Sequence, residues 1–241
     1  MTVTNPANGF LQAVVFDFDG VLADSEPLHL EVYRILLGQE GVPFTEKEYY
    51  DRYLGFDDVG VFQALERDKG LRIANGRLEV LIRRKTQIFQ SLARQAAVLF
   101  PGAEACVRSC ATAVPIAIAS GALREEIELI LGTAGLAGLV PVIVASGETP
   151  CSKPAPDPYS RAIELLSSRN GRPLTPDRTV AIEDSRWGLQ SARAAGLRTV
   201  GLTTSYPGTE LGAADLVLPD ISHVTLEVLN ALCRTPGGPG D

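Results

Sequence analysis

The chain has 241 residues, of which 45% are hydrophobic and 21% charged, and its formal net charge is -7. This composition is typical of a soluble globular protein with one domain, or with a core domain and a smaller insertion. The acidic balance without a basic block argues against nucleic acid as the main partner, and the lack of a long apolar run or an export signal predicts a cytoplasmic protein that does not enter a membrane.

The first predicted element is a buried strand that runs straight into a pair of aspartates. Residues 11–16 are mostly apolar, Asp17 and Asp19 follow them, and Gly20 comes next. An apolar run of this length is typical of a strand buried on both faces, and glycine permits the chain to turn where the strand ends. Both carboxylates can then reach one crevice, where they suit either a divalent cation or an acid/base pair.

The stretch after this turn has a helical pattern up to about residue 99. Pro27 suits the first turn of a helix, and apolar residues at helical spacing predict a long helix over 78–92. The polar side of that helix is predicted to carry Arg83, Arg84 and Lys85. Because the whole stretch is too long for one crossover helix, we predict an inserted α-helical domain at 27–99, between two parts of a core domain at 1–26 and 100–241.

Strands alternate with helices beyond Pro101 and Gly102, a pair that marks a boundary. Apolar runs predict strands at 114–119, 140–145, 179–182, 197–202 and 215–218. Helices are predicted at 123–131, 159–168, 187–195 and 222–232. This alternation predicts an α/β fold, a doubly wound parallel sheet of the Rossmann-like kind with helices on both faces. The terminal residues 1–10 and 235–241 are predicted to be disordered tails.

Polar turns follow four of the predicted strands. In chain order they carry Asp17 and Asp19, then Ser120, then Lys153, then Glu183 and Asp184. In open parallel sheets, ligands bind beyond the carboxyl ends of the strands. We therefore expect these side chains to meet at one edge of the sheet.

The residue types in these turns together suit a phosphate group. Four carboxylates at one edge repel one another, and a hard cation such as Mg²⁺ relieves that repulsion and takes oxygen ligands. Lys153 adds a positive charge, while Ser120 and the backbone amides of Gly121 and Ala122 are predicted to open a helix, where an anionic oxygen binds well. One carboxylate can then attack phosphorus and form an aspartyl-phosphate, and a second can protonate the leaving oxygen and later activate water.

Each of these motifs has a simpler interpretation when it is taken alone. An Asp-x-Asp sequence after a strand is common turn chemistry, a Lys-Pro pair is usually part of a solvated loop, and Glu183-Asp184-Ser185 can cap the helix that follows it. Four such motifs in order, each at the end of a predicted strand, are much harder to attribute to chance. The set therefore favours a shared site.

The full set of motifs runs from about residue 11 to residue 232. It comprises Asp17-Phe18-Asp19-Gly20-Val21-Leu22-Ala23-Asp24-Ser25, Ser120, Lys153-Pro154 with Asp157-Pro158-Tyr159, and Glu183-Asp184-Ser185 followed by Gly188, Ala192, Ala195 and Gly196. In this order the motifs resemble those of the haloacid dehalogenase-like hydrolase superfamily. The closest resemblance is to its branch of β-phosphoglucomutases and phosphoglycolate-type phosphatases.

The resemblance implies a role for each residue that matches a motif. Asp17 would be the nucleophile and a ligand of Mg²⁺. Asp19 would be the general acid/base, with its backbone carbonyl on the metal. Ser120 would hold the transferring phosphoryl group, and Lys153 would neutralise its charge, so that the transition state is stabilised electrostatically.

Further implications concern the metal, the insertion and the type of reaction. Asp184 would bind Mg²⁺, with Glu183 as a ligand or an outer support. The family carries a helical cap after the first motif, which excludes water and contacts the leaving group, in agreement with the predicted insertion. Asp19 favours phosphoryl chemistry, because dehalogenases and phosphonoacetaldehyde hydrolases lack an aspartate at its position.

One loop of the cap distinguishes a phosphatase from a phosphomutase. β-Phosphoglucomutases have a lysine before a glycine and an arginine three residues after it, and that arginine holds a second phosphate. Here Leu54 precedes Gly55, and Asp58 stands in place of the arginine, where it would repel a second phosphate. His29 matches a mutase position that many phosphatases share, so we give it a minor, substrate-facing role.

We therefore predict a Mg²⁺-dependent phosphatase that acts on a small phosphate monoester, such as a sugar phosphate or a phosphoglycolate-like compound. A β-phosphoglucomutase-like phosphomutase is the alternative, and a non-catalytic sugar-phosphate binding module is a third candidate. Four charged residues of the insertion either face the leaving group or form a solvated surface, namely Arg52, Asp57, Asp58 and Lys85. The expected partner is a small phosphorylated metabolite, and the expected state is a monomer or a weak homo-oligomer.

Overall fold

The computed structural model describes residues 10–53, 56, 58–74, 76–95 and 98–234. The predicted disordered tails, apart from Phe10, lie outside the described residues. The chain divides into two compact units, one formed by Met1–Asp24 with Leu99–Asp241 and the other by Ser25–Val98. We call them the sheet unit and the helical unit. The sequence predicts the insertion at 27–99, and the helical unit runs from residue 25 to residue 98.

The helical unit contains four α-helices among its described residues. They are α1 (Glu26–Gln39), α2 (Glu46–Glu48), α3 (Asp58–Lys69) and α4 (Arg77–Ala93), and a short π-helical segment, Tyr49–Tyr53, follows α2 directly. Pro27 lies in the first turn of α1, as predicted. The core of this unit is rich in aromatic rings, since Tyr33 packs against Phe44, Tyr49 and Phe62 with centroid distances of 6.0, 6.1 and 5.8 Å.

The prediction that Lys85 lies on the polar side of its helix is wrong. Its side chain is only 1% exposed, and it lies on the same stripe of α4 as the buried residues Leu81 and Phe89. Residues four apart share one face of a helix, so the spacing 81, 85, 89 places the lysine inward. The carboxylate of Asp58 on α3 lies 3.1 Å from Lys85 Nζ and supplies the opposite charge that a buried ammonium group requires.

Among its described residues, the sheet unit is built on six parallel strands, as predicted. They are β1 (Ala13–Phe16), β2 (Ile116–Ala119), β3 (Val142–Val144), β4 (Thr179–Glu183), β5 (Arg198–Leu202) and β6 (Leu216–Leu218). Their order in the sheet is β3-β2-β1-β4-β5-β6. The chain therefore starts in the middle, builds outward on one side through β2 and β3, and returns to the other side at β4. A crevice forms at such a reversal.

Helices cover the strands of the sheet unit. The helices are α5 (Ala103–Ala113), α6 (Arg124–Thr133), α7 (Asp157–Asn170), α8 (Arg186–Ala194) and α9 (Leu226–Arg234). Helices α7 and α8 share a core with alternate strand residues such as Ala13 and Val15, while Val14 and Phe16, which point to the opposite face, are equally buried. The fold is thus doubly wound and Rossmann-like. None of the helices in the described part of the chain is long and apolar enough to cross a membrane.

Candidate active site

Three of the predicted site residues lie at the carboxyl ends of adjacent central strands. In the parallel register, Phe16 of β1 pairs with Ile118 of β2 and with Ile182 of β4. Asp17 and Glu183 each come one residue after this level and Ser120 two residues after it. The sheet therefore places these side chains at one edge, next to the point where the strand order reverses.

Asp17 is buried and held through one of its carboxylate oxygens. Its Oδ1 accepts a hydrogen bond from the backbone N–H of Phe18 at 2.7 Å and lies 3.0 Å from Lys153 Nζ. Lys153 comes from the loop between β3 and α7, and its side chain is 14% exposed. Burial lowers the pKa of Lys153, but the carboxylates of Asp17 and Glu183 outweigh burial and keep that pKa above its ordinary value. The lysine is therefore a permanent positive charge beside Asp17.

Glu183 is fully buried, and both of its carboxylate oxygens are occupied. Its Oε1 accepts hydrogen bonds from Lys153 Nζ at 2.6 Å and from the Tyr159 hydroxyl at 2.7 Å. Its Oε2 accepts from the Ser185 hydroxyl at 3.1 Å and from the Asp184 N–H at 3.2 Å. Gly188 belongs to the same packing, because a Cβ atom there would overlap the Glu183 carboxylate. This saturation suits a residue that supports its neighbours more than one that binds a metal directly.

Oxygen atoms of Asp17, Glu183 and Asp184 lie within 4.8 Å of one another, so these buried carboxylates form one acidic cluster. Burial, together with the mutual repulsion of the cluster, raises the pKa of both Asp17 and Asp184 to about 7. Groups of this kind favour an added positive charge. The carboxylates of Asp17 and Asp184 are not fully occupied by hydrogen bonds, and such oxygen donors fit a hard divalent cation. The residues present are therefore suitable for the Mg²⁺ that the sequence motifs imply.

Asp184 has a neighbour that the sequence analysis missed. The Ser205 hydroxyl, in the loop after β5, donates a hydrogen bond to Asp184 Oδ2, and the preceding Thr204 donates to the Gly20 carbonyl at 2.5 Å. Gly20 has a φ of +75°, and a Cβ atom at this position would overlap the Asp184 carboxylate. Hydroxyl residues after a strand are typical of turns, so the sequence pattern offered no signal for this contact.

The predicted phosphate-binding turn differs from the observed one. Ser120 is buried at the end of β2, but helix α6 starts only at Arg124, so Gly121 and Ala122 do not open it. The Ala122 N–H donates instead to Ser120 Oγ at 3.1 Å. The expectation that both amides belong to a helix N-terminus is therefore wrong, because the chain needs three more residues before it adopts helical geometry.

Asp19 lies two residues beyond Asp17 in the turn after β1 and is partly buried. The turn is closed by hydrogen bonds from the Gly20 N–H to the Ala23 carbonyl and from the Ala23 N–H to the Phe18 carbonyl, both 2.9 Å long. The charge of Asp19 is one of the smaller causes of the raised pKa of Asp17. Asp19 is thus near Asp17 but is not a member of the acidic cluster.

The helical unit, taken by itself, has a polar cluster of its own. Asp58 Oδ1 accepts from the Tyr33 hydroxyl at 2.8 Å and lies 3.1 Å from Lys85 Nζ, while Asp58 Oδ2 is buried with no hydrogen-bond partner among the described residues. His29 stacks on Phe89 with centroids 4.9 Å apart. Burial and the positive charge of Lys85 lower the pKa of His29 to about 3, so its imidazole is neutral at physiological pH. Leu54, Gly55 and Asp57 of the predicted specificity loop lie outside the described residues.

Fold and site together define an α/β enzyme whose buried acidic cluster lies at the reversal point of a parallel sheet. A family model described as haloacid dehalogenase-like hydrolase matches residues 11–196, and the chain belongs to this family of hydrolases. The resemblance inferred from the motifs is thereby confirmed.

Individual relatives match over most of the chain. Protein CbbY of Rhodobacter capsulatus is 32% identical over 230 residues, which cover 92% of this chain and 99% of that protein. The phosphorylated carbohydrates phosphatase of Thermotoga maritima is 29% identical over 230 residues, with 91% and 100% covered. Among solved structures, a mutant of CbbY from Rhodobacter sphaeroides in complex with xylulose-(1,5)bisphosphate is 25% identical. Its TM-score is 0.76, and the match covers 88% of this chain and 96% of that one.

Proposed function

We propose that the protein is a Mg²⁺-dependent phosphatase that hydrolyses a small phosphate monoester through an aspartyl-phosphate intermediate. The observation that carries this proposal is the position of Lys153 Nζ, which lies 3.0 Å from Asp17 and 2.6 Å from Glu183, beside the acidic cluster. A buried aspartate next to a fixed positive charge suits attack on an anionic phosphoryl group, because the lysine offsets the repulsion between them.

Asp17 and Asp184 would hold the metal, together with the backbone carbonyl of Asp19. Glu183 would support the site from outside, since its oxygens already accept hydrogen bonds from Lys153, Tyr159 and Ser185. When bound, Mg²⁺ supplies positive charge for the oxygens of the transferring phosphoryl group. The raised pKa values of Asp17 and Asp184 support this assignment, because a cation would return both groups to their charged forms.

In the first step a carboxylate oxygen of Asp17 attacks phosphorus, and the bond between phosphorus and the ester oxygen breaks. The leaving oxygen takes a proton from the carboxyl group of Asp19, which becomes a carboxylate. Lys153 stays paired with the growing negative charge of the phosphoryl oxygens, and Ser120 donates a hydrogen bond to one of them. The products of this step are an alcohol and phosphorylated Asp17.

In the second step a water molecule attacks the phosphorus of the aspartyl-phosphate. Asp19 now takes the proton of that water, and the bond between Asp17 and phosphorus breaks. Inorganic phosphate leaves, Asp17 is again a carboxylate, and Asp19 is again protonated for the next turnover. One aspartate therefore acts as acid and then as base.

The substrate class is proposed from the relatives and from the helical unit. The Thermotoga maritima relative is named for phosphorylated carbohydrates, so a sugar phosphate is our first candidate, with phosphoglycolate-like compounds next. In the helical unit, Asp58 offsets the charge of Lys85, so this lysine offers no unbalanced charge to a second phosphate. This pairing favours a monophosphate substrate over the bisphosphate that a phosphomutase requires. We assign His29 and Asp58 to the leaving group, and we propose a cytoplasmic, monomeric or weakly associating protein.

A substrate panel tests the proposal. The purified chain is incubated with Mg²⁺ and a set of phosphate monoesters that includes hexose and pentose phosphates, phosphoglycolate and xylulose 1,5-bisphosphate, and free phosphate is measured. We expect phosphate release from at least one sugar monophosphate and none after Mg²⁺ is chelated. Quenching the reaction in acid and treating the protein with hydroxylamine should reveal and then remove an acyl-phosphate on Asp17.

Two results would contradict the proposal in different ways. Conversion of a sugar 1-phosphate to its isomer when a bisphosphate is added, without phosphate release, would assign the chain to the phosphomutases. Tight binding of sugar phosphates with neither turnover nor a hydroxylamine-sensitive intermediate would assign it to the non-catalytic binding modules.

A further inference from the structure

The loop after β5 reaches the acidic cluster from a strand that carries none of the motif residues. Strand β5 pairs with β4, which ends in Glu183, and the chain continues through Thr203, Thr204 and Ser205. Because parallel strands end at the same edge of the sheet, this loop opens at the edge where Asp17 and Asp184 lie. It therefore adds a further element to the site.

Two hydroxyl groups of this loop contact two different parts of the site. The Ser205 hydroxyl donates to Asp184 Oδ2, and the Thr204 hydroxyl donates to the carbonyl oxygen of Gly20 at 2.5 Å. Gly20 follows Asp19 directly, and its backbone packs so closely on the Asp184 carboxylate that a Cβ atom would overlap it. The loop thus fixes Asp184 and the turn after Asp17 against each other.

We propose that Ser205 is a positioning residue of the metal site, and that it sets the affinity for the divalent cation by fixing the orientation of the Asp184 carboxylate. Thr204 assists by holding the turn that carries Asp19. A carboxylate that binds a metal usually accepts a hydrogen bond from a second residue, and such outer contacts control affinity. Mg²⁺ is sensitive to orientation because it demands nearly octahedral geometry. The inference rests on the metal dependence in the proposed function, but not on the identity of the substrate.

The test measures metal binding directly, without substrate. Mn²⁺ serves as the probe, because the electron paramagnetic resonance signal of the free ion disappears on binding. We expect Ser205→Ala to raise the dissociation constant by about tenfold, the lower end of the range for outer-shell contacts. Thr204→Val should raise it by a smaller factor. Ser205→Thr retains a hydroxyl group and should bind Mn²⁺ almost as the unaltered chain does.

The matched control is Thr203→Val in the same loop. The Thr203 hydroxyl donates to the Pro219 carbonyl at 3.1 Å, away from the acidic cluster, so its removal should leave Mn²⁺ affinity unchanged. Ser205 is itself exposed, so thermal melting in the presence of a chelator should be similar for all these variants. In phosphate release, Ser205→Ala should need more Mg²⁺ for half-maximal rate, and saturating Mg²⁺ should restore most of kcat.

Three outcomes would overturn the inference. Binding of Mn²⁺ by Ser205→Ala as tightly as by the unaltered chain, or more tightly, would mean that the serine merely occupies Asp184 when no metal is bound. Weakening of Mn²⁺ binding by Thr203→Val to the same extent as by Ser205→Ala would indicate a general effect of the loop. Either result leaves the phosphatase proposal intact. A failure of the unaltered chain to bind Mn²⁺ at all would reject both this inference and the metal dependence of the proposed function.

Discussion

Lys153 in the sheet unit and Lys85 in the helical unit are both paired with carboxylates inside the protein, but the charge around them differs. Lys153 contacts Asp17 and Glu183, and Asp184 belongs to the same cluster, so one positive charge meets three carboxylates. Lys85 forms an ion pair with one carboxylate, that of Asp58. The first arrangement has surplus negative charge and favours an additional cation, whereas the second is already balanced. The charge around each lysine therefore distinguishes a cluster that is suited to a cation from an ion pair between two helices.

Asp17→Asn should produce the largest effect, because it removes the proposed nucleophile of the sheet unit. The amide is a poor nucleophile, so the rate of phosphate release should fall by more than about a thousandfold. The fold should survive, because the raised pKa of Asp17 indicates that the protein disfavours its charged form. Phosphate release and circular dichroism check these two expectations, and retention of even a tenth of the activity would remove the covalent mechanism.

Removal of Lys153 and of Lys85, one at a time, tests whether the two lysines have different roles. Lys153→Met should lower kcat/KM by about a hundredfold or more, because it deletes a charge that faces the transition state. Lys85→Met should instead act on stability, with a loss of about 3 kcal/mol in the free energy of unfolding, since Asp58 is left without its counter-charge. Urea unfolding and steady-state kinetics of both variants provide the measurements.

A double variant is the control for the stability effect. Lys85→Met combined with Asp58→Asn removes both charges and should recover most of the lost stability. If the double variant is as unstable as Lys85→Met, packing of the lysine stem, and not charge, accounts for the loss. If Lys85→Met lowers catalysis of the folded protein as strongly as Lys153→Met does, the distinction between the two clusters is wrong.

The pH dependence of the metal-free protein should reveal the surplus charge of the sheet unit. Asp17 and Asp184 have pKa values of about 7 in the folded protein against 3.8 in the reference state. Between about pH 4 and pH 7 the folded chain therefore binds protons that the unfolded chain has lost, so the free energy of unfolding should decrease as pH rises through this window. Saturating Mg²⁺ should reduce the decrease, and Mg²⁺ affinity should increase from pH 6 to pH 8. Denaturation with and without the metal across this range measures both trends.

Asp58→Asn should give the smallest effect on catalysis and tests the charge balance of the helical unit. It should also lower the free energy of unfolding, because the buried Lys85 loses its counter-charge. Loss of the carboxylate leaves Lys85 with unbalanced positive charge, so a second phosphate should be better tolerated. The ratio of kcat/KM for xylulose 1,5-bisphosphate to that for xylulose 5-phosphate should rise about fivefold. An unchanged ratio would show that Asp58 takes no part in the choice of substrate.

Much of the sheet unit was predictable because its signals are local and repeated. Each of the six strands follows from an apolar run, and the motif residues follow from the polar turn at the end of a strand. The ends of strands were less accurate, since β1 begins at Ala13 and not at Leu11. Leu11 is buried, but its backbone N–H bonds to the Asn230 side chain and not to a neighbouring strand. An apolar pattern reports burial, whereas a strand boundary depends on backbone pairing.

The contacts that could not be predicted join residues far apart in the chain. A lysine that directly follows two arginines is typical of a solvated helix face, and the ion pair with Asp58 on another helix shows why Lys85 can be buried. Ser205 and Asp184 are 21 positions apart, and the serine carries no motif of its own. Such pairings depend on tertiary packing, so they become visible only when the helices and loops have been placed.

Glu183 has a further consequence for how the enzyme would work. The same carboxylate accepts hydrogen bonds from Lys153 and Tyr159, which lie at the two ends of one short segment, and from Ser185, which caps α8. The lysine is therefore held in place before any ligand arrives, and the electric field across the crevice is preorganised. Little reorganisation energy is then required during the reaction, and a substitution at Glu183 would slow the chemistry by loosening three neighbours without touching the substrate itself.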